Sequence, residues 1–341
     1  MKIVVRGTNW IGDAVMSIPA MRRLRLIFPD AHISLHTRSW AEGIFQDADF
    51  LDDILSFEDG NNSLLTVTEQ ARIWREKKFD LSILFTNSFQ TALLSKLGRA
   101  KRRFGYRNEG RSFLLTDPVE KPEWKNERHE VFYYLNLVDE IESGYFGRKS
   151  FTDRKPVIEL GVSEDRRLKA KEILKNAGAD PTKTTIALGV GSTNSLAKRW
   201  GTQNYSKLND LLSSETGANV VLIGSREEID VSKAVSDLSV NKPIVLTGKT
   251  SLADITAVLA EIDMLVSNDM GLAHISAAVG TKTLTIFGPT NPETTRPWNS
   301  EIVRRGDVEC APCMLRTCPI DHRCMTWITP QSVFEKIGHL L

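Results

Sequence analysis

The chain has 341 residues, enough for two domains of ordinary size and too many for one compact core. Its 44 Lys and Arg nearly balance 43 Asp and Glu, so the formal net charge is +1, without the basic surplus of a general nucleic-acid binder. Hydrophobic residues at 41% and charged residues at 26% describe a globular chain, not a disordered one.

Lys2–Arg6 is a short β-branched run that ends at Gly7, and an apolar helical pattern follows from about Ala14 to Phe28. No stretch approaches the roughly 20 apolar residues of a membrane helix. Residues 1–20 fail as a signal peptide because Arg6, Asn9 and Asp13 break the apolar run, so a cytoplasmic location is expected. Further strands are predicted at Ile33–His36 and Asp80–Thr86, whereas Lys121–Asp153 is rich in charge and aromatics without strand character. The second half alternates clearly. Strands at Thr185–Val190, Asn219–Ile223, Ile244–Leu246, Asp263–Ser267 and Thr283–Phe287 are separated by helical patterns at Tyr205–Ser214, Leu252–Leu259 and Leu272–Val279. This is the pattern of βαβ units and parallel sheets. Two α/β domains facing across a cleft are expected, with a boundary near 160–180, where Asp180-Pro181-Thr182 punctuates the pattern, and residues 1–165 and 166–325 as the two bodies. Ligands of such sheets bind outside the carboxyl ends of the strands.

Four strand-to-helix segments carry candidate chemistry. Gly7-Thr8-Asn9-Trp10-Ile11-Gly12-Asp13 has the spacing of a phosphate loop, but Asp13 and Ala14 stand where Lys and Ser/Thr are required. Asp13 instead places a carboxylate at a helix start, either as an N-cap or as a base for an attacking hydroxyl. Gly189–Thr193 with Lys198 and Arg199 offers free N–H groups, hydroxyls and a cation suited to a diphosphate; the bland alternative is a surface loop with a solvated pair. In Ser267–His274, a buried strand ends at Asn268-Asp269 and Gly271 opens a helix whose first N–H groups suit an anion. There Asp269 is either a functional carboxylate or the cap, and His274 either a ligand or a satisfied structural residue. Gly224–Glu228 places acidic side chains where a ribose would sit, or simply at a helix first turn favoured by the dipole. Three such loops in one domain argue jointly for a nucleotide.

Together these blocks resemble a known family. RGTNWIGDAVMSIPAMRRLR at 6–25, TNSFQTALL at 86–94, RRFGYRNEGRSFLLTD at 102–117, AKRW at 197–200, SNDMGLAHISAA at 267–278 and FGPTNP at 287–292 are similar, in that order, to blocks of the ADP-heptose:lipopolysaccharide heptosyltransferases of glycosyltransferase family 9. Within the family the resemblance is to the heptosyltransferase II branch. It implies a GT-B fold of two Rossmann-like domains, acceptor-binding first and donor-binding second, in a Gram-negative bacterium. The implied reaction is inverting transfer of L-glycero-D-manno-heptose from ADP-heptose to the first heptose of the lipopolysaccharide inner core. Asp13 would be the base and Lys198 the cation beside the departing diphosphate, with Ser192 and Thr193 next to it. Glu228 would bind the ribose and Asp269 sugar hydroxyls, while Met270, Gly271, Leu272 and His274 would line the donor site. Asn9, Arg103 and Arg107 would face the acceptor. No metal or other cofactor is implied, since Lys198 and helix N-termini can carry the electrostatic work.

Lys96–Arg111 holds seven Lys and Arg against Glu109 alone. It is either a solvated face or a patch for the anionic inner core or the inner-membrane surface. The Cys310, Cys313, Cys318 and Cys324 spacings are irregular for a zinc ribbon, and leave open reduced thiols, a structural metal or disulfides. Residues 326–341 end in a short amphipathic helix that, by analogy with GT-B proteins, would cross back to the first domain. A dinucleotide oxidoreductase is disfavoured: no G-x-G-x-x-G follows the first strand, and Gly189-x-Gly191 is followed by Asn194. The alternatives kept are a related heptosyltransferase (I or III) with another acceptor, and a nucleotide-sugar binding protein without catalysis.

Overall fold

A computed structural model describes residues 1–58, 64–108, 110–150 and 155–341. The chain divides into two compact units, Met1–Ile158 and Glu159–Leu341.

In the first unit, six parallel strands form one sheet in the order β3-β2-β1-β4-β5-β6. They are β1 (Lys2–Arg6), β2 (His32–Arg38), β3 (Asp53–Phe57), β4 (Leu81–Leu84), β5 (Arg102–Tyr106) and β6 (Asp117–Val119). Ile3, Val4 and Val5 of β1 are fully buried, as expected of a central parallel strand covered on both faces. The helical pattern after β1 is two helices, α1 (Ile11–Met16) and α2 (Ile18–Ile27). Pro19 lacks an N–H and so cannot continue α1; it sits in the first turn of α2, where that donor is not needed. Two further helices follow, α3 (Leu64–Lys77) and α4 (Phe89–Leu97). The aromatic segment after residue 121 contains a 17-residue helix, α5 (Glu130–Phe146), which packs on α1 and α2. Its buried side includes Val131, Tyr134, Leu135, Val138 and Ile141. Residues 151–153 of that segment lie outside the described residues.

The second unit repeats the plan. Its parallel sheet has the order β12-β11-β10-β7-β8-β9. The strands are β7 (Thr185–Gly189), β8 (Asn219–Ile223), β9 (Ile244–Val245), β10 (Met264–Asn268), β11 (Lys282–Phe287) and β12 (Glu301–Arg304). The covering helices are α6 (Glu164–Asn176), α7 (Thr202–Leu211), α8 (Ile229–Leu238), α9 (Leu252–Leu259), α10 (Gly271–Ala278) and α11 (Pro330–Gly338). Asp180-Pro181-Thr182 therefore stands after α6, inside this unit. The last helix, α11, packs on α7, and Val333 and Ile337 lie in the second unit's core.

Both sheets have the doubly wound order in which the chain returns to the centre and runs outward the other way. In each, the reversal lies between two central strands, β1 and β4 in the first unit and β7 and β10 in the second. The carboxyl ends of such strand pairs are where ligands of this architecture bind.

Candidate active site

The first reversal point carries the Gly7–Asp13 loop. Gly7 donates its N–H to the His36 carbonyl at 3.0 Å, and a Cβ there would lie 3.1 Å from Thr37 Oγ1. Asp13 is not the cap of α1. That position belongs to Trp10, in extended backbone, while Asp13 is half-buried in the first helical turn. The Tyr134 hydroxyl of α5 donates to Asp13 Oδ1 at 3.3 Å. Burial, and then the Asp13 charge, hold the Tyr134 phenol well above its ordinary range, so it remains a donor. Asn9 Oδ1 accepts from Arg38 Nε at 3.3 Å.

The basic run beyond β4 divides: Arg102, Arg103 and Arg111 turn onto their own unit, whereas Lys96, Arg99, Lys101 and Arg107 are exposed. Arg103, expected to meet the acceptor, turns onto its own unit and donates to the Leu114 carbonyl at 2.9 Å and the Ala100 carbonyl at 2.8 Å. Arg102 pairs with Asp117 at 2.5 Å, and Lys101 with Asp80 at 2.7 Å. Arg111 is fully buried and donates to the carbonyls of Tyr106 and Thr86 at 2.9 and 2.7 Å. Arg107 is exposed and pairs with Glu120 at 2.8 Å. Glu109 lies outside the described residues.

The second reversal point gathers the donor-side candidates. Asn268, at the end of β10, is fully buried. Its Nδ2 donates to the carbonyls of Val190 and Gly191 at 3.0 and 2.9 Å, and its Oδ1 accepts the Trp200 N–H at 3.1 Å. One amide therefore joins the loop after β7 to the segment bearing Lys198. Asp269 follows, with its carboxylate buried. Oδ2 takes Lys198 Nζ at 2.6 Å and the Thr290 hydroxyl at 2.7 Å. The N-cap of α10 is Met270, so Asp269 is free of capping duty. Gly271 opens α10, with Leu272 and His274 buried in its first turns. Met270 Sδ would lie 3.1 Å from a Cβ on Gly189, which places that side chain against the loop after β7.

Glu228 is buried, whereas Glu227 is exposed. Glu228 Oε2 accepts the Ser225 N–H at 2.8 Å in a capping box, and Oε1 accepts the Thr193 hydroxyl at 3.4 Å. A Cβ on Gly191 would run into this carboxylate, which is why the loop has glycine there. The structural reading of Gly224–Glu228 is thus present, and it adjoins Thr193. Ser192 is buried, and its carbonyl accepts from Arg199 Nε at 3.2 Å. Asn268 and Thr290 are the residues not singled out from sequence. The signal for Asn268 was an amide ending a buried strand; for Thr290 it was only membership of the FGPTNP block.

All four cysteines are free thiols. Burial, with the neighbouring thiols adding to it, pushes the Cys324 thiol up to about 11. Among the described residues no group of three or more His, Cys, Asp or Glu side chains is arranged to hold a metal ion, and no helix is long and apolar enough to cross a membrane.

Two Rossmann-like units with a diphosphate-suited site at the second reversal point define a GT-B glycosyltransferase. The model of glycosyltransferase family 9 (heptosyltransferase) matches residues 68–323, and the chain belongs to that family. Among relatives it is 27% identical to lipooligosaccharide heptosyltransferase 2 of Campylobacter jejuni serotype O:2, over 100% of this chain and 98% of the relative. It is likewise 27% identical to lipopolysaccharide heptosyltransferase 2 of Salmonella typhimurium, over 100% and 99%. The structure of Escherichia coli ADP-heptose LPS heptosyltransferase II superposes with a TM-score of 0.85 at 24% identity, covering 100% of this chain and 98% of that one.

Proposed function

We propose that this family 9 glycosyltransferase moves a heptosyl group from ADP-heptose to the first heptose of the lipopolysaccharide inner core, with inversion at the anomeric carbon. The observation that carries the reading is the Lys198–Asp269–Thr290 constellation at the carboxyl end of β10. It places a cation and a buried carboxylate beside a helix N-terminus, as a sugar diphosphate requires.

The step is a single displacement. Asp13 takes the proton of the acceptor hydroxyl while its oxygen bonds to the anomeric carbon. The bond from that carbon to the diphosphate oxygen breaks, and ADP leaves with the electron pair. Tyr134 orients Asp13 by donating to Oδ1. Lys198 neutralises charge that grows on the leaving diphosphate, so it contributes more in the transition state than in the ground state. Asp269 meets sugar hydroxyls once Lys198 turns to the phosphates. Ser192, Thr193 and the N–H groups opening α10 supply the remaining donors, and Met270, Leu272 and His274 shape the site. Glu228, held by Ser225 and Thr193, faces the ribose. With Lys198 in this role the reaction needs no divalent cation.

On the acceptor side, Asn9 and exposed Arg107 are the groups left to meet the anionic core sugars. The work is done in the cytoplasm, with peripheral contact at the inner membrane where the acceptor resides.

The test is ADP release from ADP-heptose with heptosyl-Kdo2-lipid A, with and without EDTA, and the anomeric configuration of the product by NMR. Inverted product with EDTA-insensitive turnover supports the reading. Donor binding without turnover on this acceptor would point to a different acceptor or a non-catalytic role.

A further inference from the structure

The segment between β12 and α11 carries the four cysteines and has no part in the chemistry above. It is nonetheless tied to both arms of the Lys198–Asp269–Thr290 constellation. Lys198 ends a short 3₁₀ turn, Leu196–Lys198. Both main-chain polar groups of Ala197, the residue before it, are bound by this segment. The Ala197 N–H donates to the Arg316 carbonyl at 3.0 Å, and the Ala197 carbonyl receives His322 Nε2 at 2.6 Å. A carbonyl can only accept, so Nε2 carries the hydrogen. Ser195 Oγ donates to the same Arg316 carbonyl at 3.3 Å.

The other arm is held equally directly. The Met314 N–H donates to the Pro289 carbonyl at 2.7 Å, one residue before Thr290. Gly288 lacks a side chain where a Cβ would run into Met325 Sδ and lie 3.1 Å from Cys324 Sγ. Met314 and His322 both stand in the left-handed region, at φ 59° and 58°. That conformation is uncommon for residues other than glycine, and it occurs here at two of the tie points.

We propose that His322 is a positioning residue of the donor site: through the Ala197 carbonyl it fixes the turn that aims Lys198 at the nucleoside diphosphate. Residues 314–322 then act as a bracket, joining the lysine turn to the Thr290 loop so that both converge on Asp269. The inference rests on the donor-site reading above, and refines it by adding a residue that touches no substrate.

The experiment measures ADP affinity by calorimetry, and donor turnover with the full chain, for His322→Ala, His322→Gln, Lys198→Ala and the His322→Ala/Lys198→Ala pair. His322→Ala is expected to weaken ADP binding about 3- to 10-fold, the effect of one well-placed hydrogen bond. Turnover should fall with it, while the KM for the acceptor stays unchanged. The Gln amide N–H can reach the same carbonyl, so His322→Gln should recover affinity to within about 2-fold of wild type. In the Lys198→Ala background, removing His322 should add less than about 2-fold, because residues acting through one another are not additive. Equal losses in His322→Ala and His322→Gln, or losses that multiply in the double variant, would overturn the proposal. Should His322→Ala fail to fold, His322→Gln against wild type decides: near-wild-type ADP affinity supports the proposal, and a loss of several-fold overturns it. Absence of turnover in wild type, with ADP affinities following the expected pattern, would sink the transfer reading and leave the positioning role standing.

Discussion

Lys198 Nζ lies 2.6 Å from Asp269 Oδ2, with the lysine partly exposed and the carboxylate nearly sealed from solvent. The pair holds a cation at the carboxyl end of β10, already desolvated on one side, while keeping the buried carboxylate paired. Lys198→Ala should therefore act twice. It weakens ADP binding by about 10-fold or more, and it destabilises the fold by about 2 kcal/mol because Asp269 is left buried with only the Thr290 hydroxyl. Calorimetry with ADP and chemical denaturation separate the two effects. Asp269→Asn should restore most of the stability in the Lys198→Ala background without restoring ADP affinity.

Gly191 and Glu228 define a second test. A methyl group at 191 would overlap the Glu228 carboxylate, whereas a methyl at Gly306 meets open space. Gly191→Ala should cost about 1 to 3 kcal/mol and weaken donor binding, and Gly306→Ala should leave both near wild type. Thermal unfolding and ADP titration of the two variants side by side check this.

The arginines of the basic run should divide by what they touch. Arg103→Glu removes donors from two carbonyls inside its unit and should lower the unfolding midpoint. Arg107→Glu removes an exposed ion pair with Glu120, so it should leave stability within about 0.5 kcal/mol and raise the acceptor's KM. An acceptor KM that moves with Arg103 at unchanged stability would contradict this division.

Asp139 on α5 supplies the pH prediction. Burial pushes its carboxyl up to about 6, and Oδ1 has no hydrogen-bond partner among the described residues. The folded state therefore holds this proton to higher pH than the unfolded chain does. The associated stability is complete below the ordinary carboxylate range and is lost as pH rises toward 6. Asp139→Asn should remove that decline and raise the unfolding midpoint at pH 7.5. Midpoints measured from pH 4 to 7.5 for both proteins would show the slope flattening; parallel curves would contradict it.

Much of this arrangement was legible in the sequence because its signals are local. Strands β7, β8 and β10 and the glycine-bearing loops after them stand out as apolar runs followed by polar turns. Asp13 and Lys198 stand in such loops. What was not legible depends on partners distant along the chain. Arg103 looks solvated until Leu114 folds over it, and Thr290 acquires a role only when β11 brings it beside Asp269. Helix α5 was obscured by its aromatic residues, whose helix propensity is modest and whose burial comes from α1 and α2. The division of α1 from α2 was within reach, since Pro19 falls inside the apolar pattern.

The central claim is that Asp13 is the base of a glycosyl transfer from an ADP-sugar. The most direct measurement is steady-state ADP release from ADP-heptose with heptosyl-Kdo2-lipid A, comparing wild type with Asp13→Ala and checking that both bind ADP equally. The account predicts a loss of at least about 10²-fold in kcat with donor affinity unchanged. Turnover within a few-fold of wild type in Asp13→Ala would contradict it and reduce Asp13 to a residue of the first helical turn.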